Sequence, residues 1–188
     1  MDQTDASPTT PARDLEPHTA HVRAAPRDEA VIELIVLRPG TEQREVVDKA
    51  QLTPKDGLVG DHWLARGSWK RPGSAADLDA QLALMSTRVL AAIEPDPARW
   101  PLAGDQLYVD MDLSEANLPP GTRLAIGEAE VEVTVLPHTG CAKFASRFGH
   151  DALRWISTKE GLSLRMRGMY VKVLRAGAVR TGDAIRRI

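Results

Sequence analysis

Cysteine is almost absent from this chain, with Cys141 the only one in 188 residues. A lone thiol forms no internal disulfide, so the fold must stand on packing, as expected in a reducing compartment. The same scarcity excludes multi-cysteine zinc ribbons and iron–sulfur frameworks. The histidines His18, His21, His62, His138 and His150 show no HExxH or HxH spacing, so no self-contained zinc site is expected. No apolar run approaches the ~20 residues that span a bilayer. The N-terminus, with Asp2 and Asp5 and no apolar stretch, does not read as a signal peptide. These absences predict a cytoplasmic protein without a membrane partner.

What is present suits one globular domain. A hydrophobic content of 43% against 27% charged residues is ordinary for such a chain, and the length is enough to bury a core. The net charge of -2 hides an asymmetry. Residues 31–140 carry 17 acidic and 10 basic side chains, whereas residues 141–188 carry 3 acidic and 11 basic. Cys141 therefore opens the most basic quarter of the chain. That polarity is too modest for a nucleic-acid binder and suits a pocket for a small anion such as phosphate, or else a solvated arginine face.

Residues 1–30, rich in Pro, Thr, Ala, Asp and Arg and without periodicity or aromatics, read as a flexible N-terminal tail. Residues 31–188 read as the folded domain. Its first strand is the β-branched run Ala30–Leu37, and a second is expected around Arg44–Leu52. Gly57-Leu58-Val59-Gly60-Asp61-His62 then leads into a long polar loop reaching about Asp79, more often functional than decorative at that length. Gln81–Met85 alternates like a strand, and Ser86 stands where it would cap a helix Thr87–Ile93, stopped by Pro95 and Pro97. The clearest strand alternates Ala129, Val131, Val133 and Val135 with Glu128, Glu130, Glu132 and Thr134, predicting one buried and one wet face. Phe148, Ala152, Trp155 and Ile156 form a helical stripe, and Phe144, Phe148 and Trp155 are assigned to the core. Gly168–Leu174 and Ala184–Ile188 read as final strands. Many short strands with Gly and Pro turns and few helices predict a mainly β fold, a closed or nearly closed β-barrel.

Cys141 follows the strong strand, where a loop exposes side chains above a rigid scaffold. His138 precedes it by three residues and Lys143 follows by two, and cationic neighbours favour a thiolate. A thiolate serves as nucleophile, sulfur acceptor or soft-metal ligand. The alternative is an inert, buried cysteine packing as a small hydrophobe. Asp61 and His62 either anchor a ligand or make a turn, and Arg66, Lys70 and Arg71 either contact an anion or decorate a solvated loop. Arg167 either faces an anion or pairs with an acidic strand such as that bearing Glu130.

The segment His138-Thr139-Gly140-Cys141-Ala142-Lys143-Phe144, followed by Phe148-Gly149, Arg167–Val173 and Gly177–Asp183, resembles the MOSC domain, named for the C-terminal part of molybdenum cofactor sulfurases. Gly57–His62 is similar to that family's first glycine-rich signature, and the resemblance spans roughly residues 31–188. It implies a barrel like the small β-domain of pyruvate kinase. It also implies that Cys141 ligates molybdenum beside a molybdopterin or carries sulfur. Asp61, His62, Arg66, His138, Lys143 and Arg167 become the candidate cofactor-binding residues. Some family members reduce N-hydroxylated bases and related N-oxygenated compounds, which implies a small-molecule substrate and an electron-transfer partner. A sulfur carrier would instead need a separate desulfurase, because no lysine here sits in a pyridoxal-phosphate context; a non-catalytic binding module is a third expectation. The segment Ala103–Asp110 departs from the Gly-Glu-Asn-Leu-like and Arg-Arg-Asn-like motifs of the two large branches, and the choice among these roles stays open.

Overall fold

A computed structural model describes residues 15–68, 71 and 73–188. Eleven strands form in chain order: β1 (Ala30–Leu37), β2 (Glu45–Val47), β3 (Lys49–Thr53), β4 (Gly57–Leu58), β5 (Leu82–Ser86), β6 (Leu107–Asp110), β7 (Arg123–Ile126), β8 (Ala129–Val133), β9 (Met169–Arg175), β10 (Gly177–Arg180) and β11 (Ala184–Arg187). Seven of them close a barrel in the order β1-β11-β7-β8-β9-β5-β6, and β6 returns to β1. The fold is thus mainly β, as the short strands and turn residues predict. β5 and β6 pair parallel, the other barrel neighbours antiparallel. β2 extends the sheet from β1, and β10, β3 and β4 make a small second sheet.

The core has two layers. Ile32, Leu84, Leu107, Ile126, Val131 and Val171 fill the barrel. Outside it, Val36, Met85 and Tyr108 meet the helices α3 (Thr87–Ile93), α4 (Ala142–Phe148) and α5 (His150–Ile156). β5 is consequently buried on both faces. Ser86 occupies the N-cap position of α3, yet its hydroxyl makes no capping bond and is buried without a partner. The predicted stripe is kept across a break: Gly149, at φ +89°, separates α4 from α5, and Phe148, Ala152, Trp155 and Ile156 are all buried.

Two expectations are corrected. Residues 15–29 are not a loose tail. Leu15 and Val22, the latter in α1 (His18–Arg23), are buried in the outer core, and Thr19 Oγ1 accepts the Trp155 Nε1–H at 3.1 Å. A two-turn helix is too short to show periodicity, so only its packing reveals it; residues 1–14 lie outside the described residues. Val135 does not continue the inward face, being 72% exposed. The sheet ends at Val133, where Thr134 turns its hydroxyl to the Asp79 carbonyl at 2.7 Å and the chain departs as the loop 134–140.

Candidate functional site

The loop after β8 delivers Cys141 to the N-cap of α4, exposed to solvent. It borders a cleft of two lobes, about 290 and about 260 Å³, that share Arg38, Arg66, Gly104, His138, Arg167 and Tyr170. The smaller lobe adds Arg44, Lys143 and Arg147, against Glu42 as its one lining carboxylate among the described residues. An exposed thiol and six cationic side chains therefore meet in one place.

Two buried carboxylates beneath the cleft fix two of those cations. Asp61 takes Arg38 in a fork, Nε to Oδ2 at 2.8 Å and Nη2 to Oδ1 at 2.9 Å, while Arg38 Nη1 donates to the Gly104 carbonyl at 2.7 Å. Asp61 also accepts the Trp63 N–H at 2.9 Å, which starts the short helix α2 (Trp63–Arg66). Asp61 is therefore a turn-maker and an arginine holder that does not line the cleft. Asp105, fully buried, accepts Arg167 Nη1 at 3.0 and 2.8 Å, and Arg167 Nη2 reaches the Ala103 carbonyl at 2.9 Å. The guanidinium lies 5.1 Å from the Phe144 ring centre, a cation–π contact. Burial pushes the Asp105 carboxyl up, and the Arg167 charge and hydrogen bonds oppose it. The alternative pairing of Arg167 with the strand bearing Glu130 does not form: the carboxylate partner of Arg167 is Asp105, and Glu130 pairs with Arg175.

The remaining candidates separate. His62 lines the smaller lobe with Nδ1 at 2.8 Å from the Arg38 carbonyl, so that nitrogen carries the proton. Arg66 borders both lobes. Lys143 is at the rim, its ammonium 2.7 Å from Glu42, which Arg147 also holds. Arg71 borders a separate surface hollow with Ser68 and Asp77, and Lys70 lies outside the described residues. His138 lines both lobes, stacked on Tyr170 at 4.3 Å between ring centres.

Arg38, Arg44, Arg147, Asp105 and Tyr170 escape sequence reasoning. Arg147 carried a usable signal, because it stands one helical turn after Lys143 on α4. Arg44 and Asp105 carried none: the first stands in the connection from β1 to β2 and the second just before β6, and β1 and β6 become neighbours only in the folded sheet. Arg44 Nε is buried without a partner. Burial and the charges of Arg147 and Arg38 push its pKa down, as at a cation crowded by others. The three positive guanidiniums mark a place where an anion would relieve repulsion.

No group of three or more His, Cys, Asp or Glu side chains among the described residues is arranged to hold a metal ion. A metal here would rest on the thiolate and on ligands that a cofactor brings. No helix among the described residues is long and apolar enough to cross a membrane.

A closed seven-stranded barrel with helices on one side and a thiol above a cationic cleft defines a class of small β-barrel proteins. Residues 73–186 match the MOSC domain, and the chain belongs to that family. Solved structures share the fold. The YuaD protein from Bacillus subtilis is 19% identical, with TM-score 0.63 over 83% of this chain and 93% of its own. YiiM from Escherichia coli is 20% identical, with TM-score 0.55 over 84% of this chain and 69% of its own. YiiM from Geobacillus stearothermophilus is 16% identical, with TM-score 0.53 over 86% and 73%. No curated protein matches the sequence.

Proposed function

We propose that this chain binds the molybdenum cofactor in the Cys141 cleft and reduces small N-oxygenated molecules. The observation that carries the reading is the convergence of one exposed thiol with a set of cations held ready by buried carboxylates. The donor set fits the cofactor: a soft thiolate for molybdenum, and guanidiniums for a phosphate and a heteroatom-rich pterin. Cys141 would ligate the metal, Arg44 and Arg147 would take the phosphate, and Arg66 and His62 would face the pterin. Asp61 and Asp105 keep Arg38 and Arg167 in place, so the cleft is preorganised before anything binds. When bound, the cofactor supplies the redox centre for a two-electron reduction; the electrons come from a partner electron-transfer protein.

A second reading has its own support. The thiol is exposed at a helix N-cap, where another protein's cysteine can reach it, so a persulfide carrier fed by a separate desulfurase is the competing function. The test is to purify the protein and Cys141→Ala from a molybdopterin-competent host and to measure molybdenum and pterin by mass spectrometry. Stoichiometric metal that vanishes in the variant supports the reductase. A cysteine heavier by one sulfur after incubation with a desulfurase, without metal, supports the carrier. A metal-free and unreactive thiol sinks both.

A further inference from the structure

The cleft is lined mainly by donors, and its smaller lobe holds two acceptors, the Glu42 carboxylate and the Nε2 of His62, whose Nδ1 is committed to the Arg38 carbonyl. His138 is the imidazole common to both lobes. Besides both lobes, it borders a third cavity of about 330 Å³ on the far side of the 134–140 loop. Its ring is clamped against Tyr170 at an interplanar angle of 30°, and its side chain is only 9% exposed. Nδ1 is buried without a hydrogen-bond partner and lies 3.5 Å from Asp105 Oδ1. A lone pair aimed at that carboxylate would be repelled and an N–H would be attracted, so the single proton of a neutral imidazole belongs on Nδ1. Nε2 is then the acceptor. Among the described residues it is not one of the buried unpartnered atoms, in a side chain whose open surroundings are the cavities. Asp105 favours a second proton, and the balance is against it. Burial first, then the charges of Arg167 and Arg38, hold the imidazole well below the usual histidine range, and Tyr170 offers only its ring face.

We propose that His138 is the acceptor through which the cleft recognises a proton-bearing oxygen on its substrate, the N–OH of an N-hydroxylated base, with Nδ1–H turned to Asp105 and Nε2 to the ligand. The ligand class rests on the reductase reading, whereas the tautomer does not. The recognition is specific because an N–OCH₃ analogue brings no donor and leaves Nε2 unpaired. An acceptor buried by the ligand and left unpaired weakens binding by roughly 10- to 100-fold.

The test uses the purified protein with ¹⁵N-labelled imidazoles, and His138 is assigned by the signals that His138→Gln removes. The neutral Nδ1–H form is expected from about pH 6 to about pH 8. An Nε2–H tautomer or a charged ring in that range overturns the proposal, whatever the metal content. The same signals are then followed during titration with N-phenylhydroxylamine and with its O-methyl ether. The hydroxyl compound should shift Nε2 and bind about 10- to 100-fold more tightly. His138→Phe, which keeps the stacking, should abolish the preference, and His138→Gln, whose amide oxygen accepts, should restore part of it. Equal binding of the pair, or a preference that survives in His138→Phe, overturns the assignment. Molybdenum content, measured on the same sample, reports separately on the reductase reading.

Discussion

Replacing Asp105 with asparagine keeps the shape of a buried side chain and removes its charge. Arg167 then stays in a site where its own side chain is 9% exposed and its partner was fully buried. The two bonds that converge on the carboxylate, at 3.0 and 2.8 Å, become at best one bond to an amide oxygen. The Ala103 carbonyl and the Phe144 ring remain, but neither carries the opposite charge. Breaking a buried ion pair from one side costs about 3–5 kcal/mol, and the surviving amide bond places this case near about 3 kcal/mol. For a chain of this length each kcal/mol moves Tm by about 2–4 °C, so the melting temperature should fall by roughly 6–12 °C. Thermal unfolding followed by circular dichroism reads that shift, and urea unfolding checks that the m-value is unchanged. The double variant Asp105→Leu with Arg167→Met removes both charges and should recover most of the loss, because two apolar side chains need no partner. A melting temperature for Asp105→Asn equal to the parent's, or a double variant as weak as the single one, refutes the claim that this pair ties the segment before β6 to β9.

Three other outcomes follow from the same geometry. The unfolded imidazole of His138 takes up a proton below about pH 6.5, whereas the folded one resists it, so below that pH the unfolded state binds more protons and stability is lost as the pH is lowered, by at most about 1.4 kcal/mol per unit. Urea unfolding at stepped pH should show that slope reduced in His138→Gln, and parallel curves for the two proteins would count against a buried neutral ring. Gly168→Ala should cost about 2–3 kcal/mol or more, since the backbone is at φ +99° and a Cβ would run into the Leu84 carbonyl oxygen; a neutral effect on urea unfolding would mean that β9 can shift away from β5. Cys141→Ser should change stability by less than about 0.5 kcal/mol, because the thiol is exposed and makes no packing contribution; a larger loss in the same assay would return Cys141 to a structural role.

What the sequence shows of this fold depends on whether an element has one wet face. β8 was legible because Glu130 and Glu132 are outward and Ala129, Val131 and Val133 inward in a hairpin with β7. β5 alternates as well, but its two apolar faces go to different layers, Leu82 and Leu84 into the barrel and Met85 under the helices. The helix α1 was hidden because its stability comes from contacts with α3 and α5, not from its own six residues. Closure of the barrel was foreseen from strand number, whereas the partner order, with β1 touching both β6 and β11, was not.

The site shows the same division between local and distant information. Residues close to Cys141 in sequence could be nominated, yet closeness in sequence ranked them badly. Lys143, two positions away, is at the rim and held by Glu42, while Arg44, nearly a hundred positions away, is half-buried in the smaller lobe with its Nε unpartnered. A charge that is already satisfied by a neighbouring carboxylate attracts a ligand less than one that burial has stripped of water and of partners. By that criterion the anion-seeking group of the cleft is Arg44, since Arg147 shares Glu42 with Lys143 and Arg38 and Arg167 are fastened to buried carboxylates and shape the walls. The segment Gly104-Asp105-Gln106, which matches neither branch's motif, explains how those walls are held: Gly104 lends its carbonyl to Arg38, Asp105 grips Arg167, and Gln106 Oε1 accepts the Ala83 N–H at 2.9 Å. Asp105 acts from beneath the cleft while Gly104 and Gln106 line it, so a departure there changes how the cations are fastened and part of the wall, and leaves the thiol where the loop after β8 delivers it.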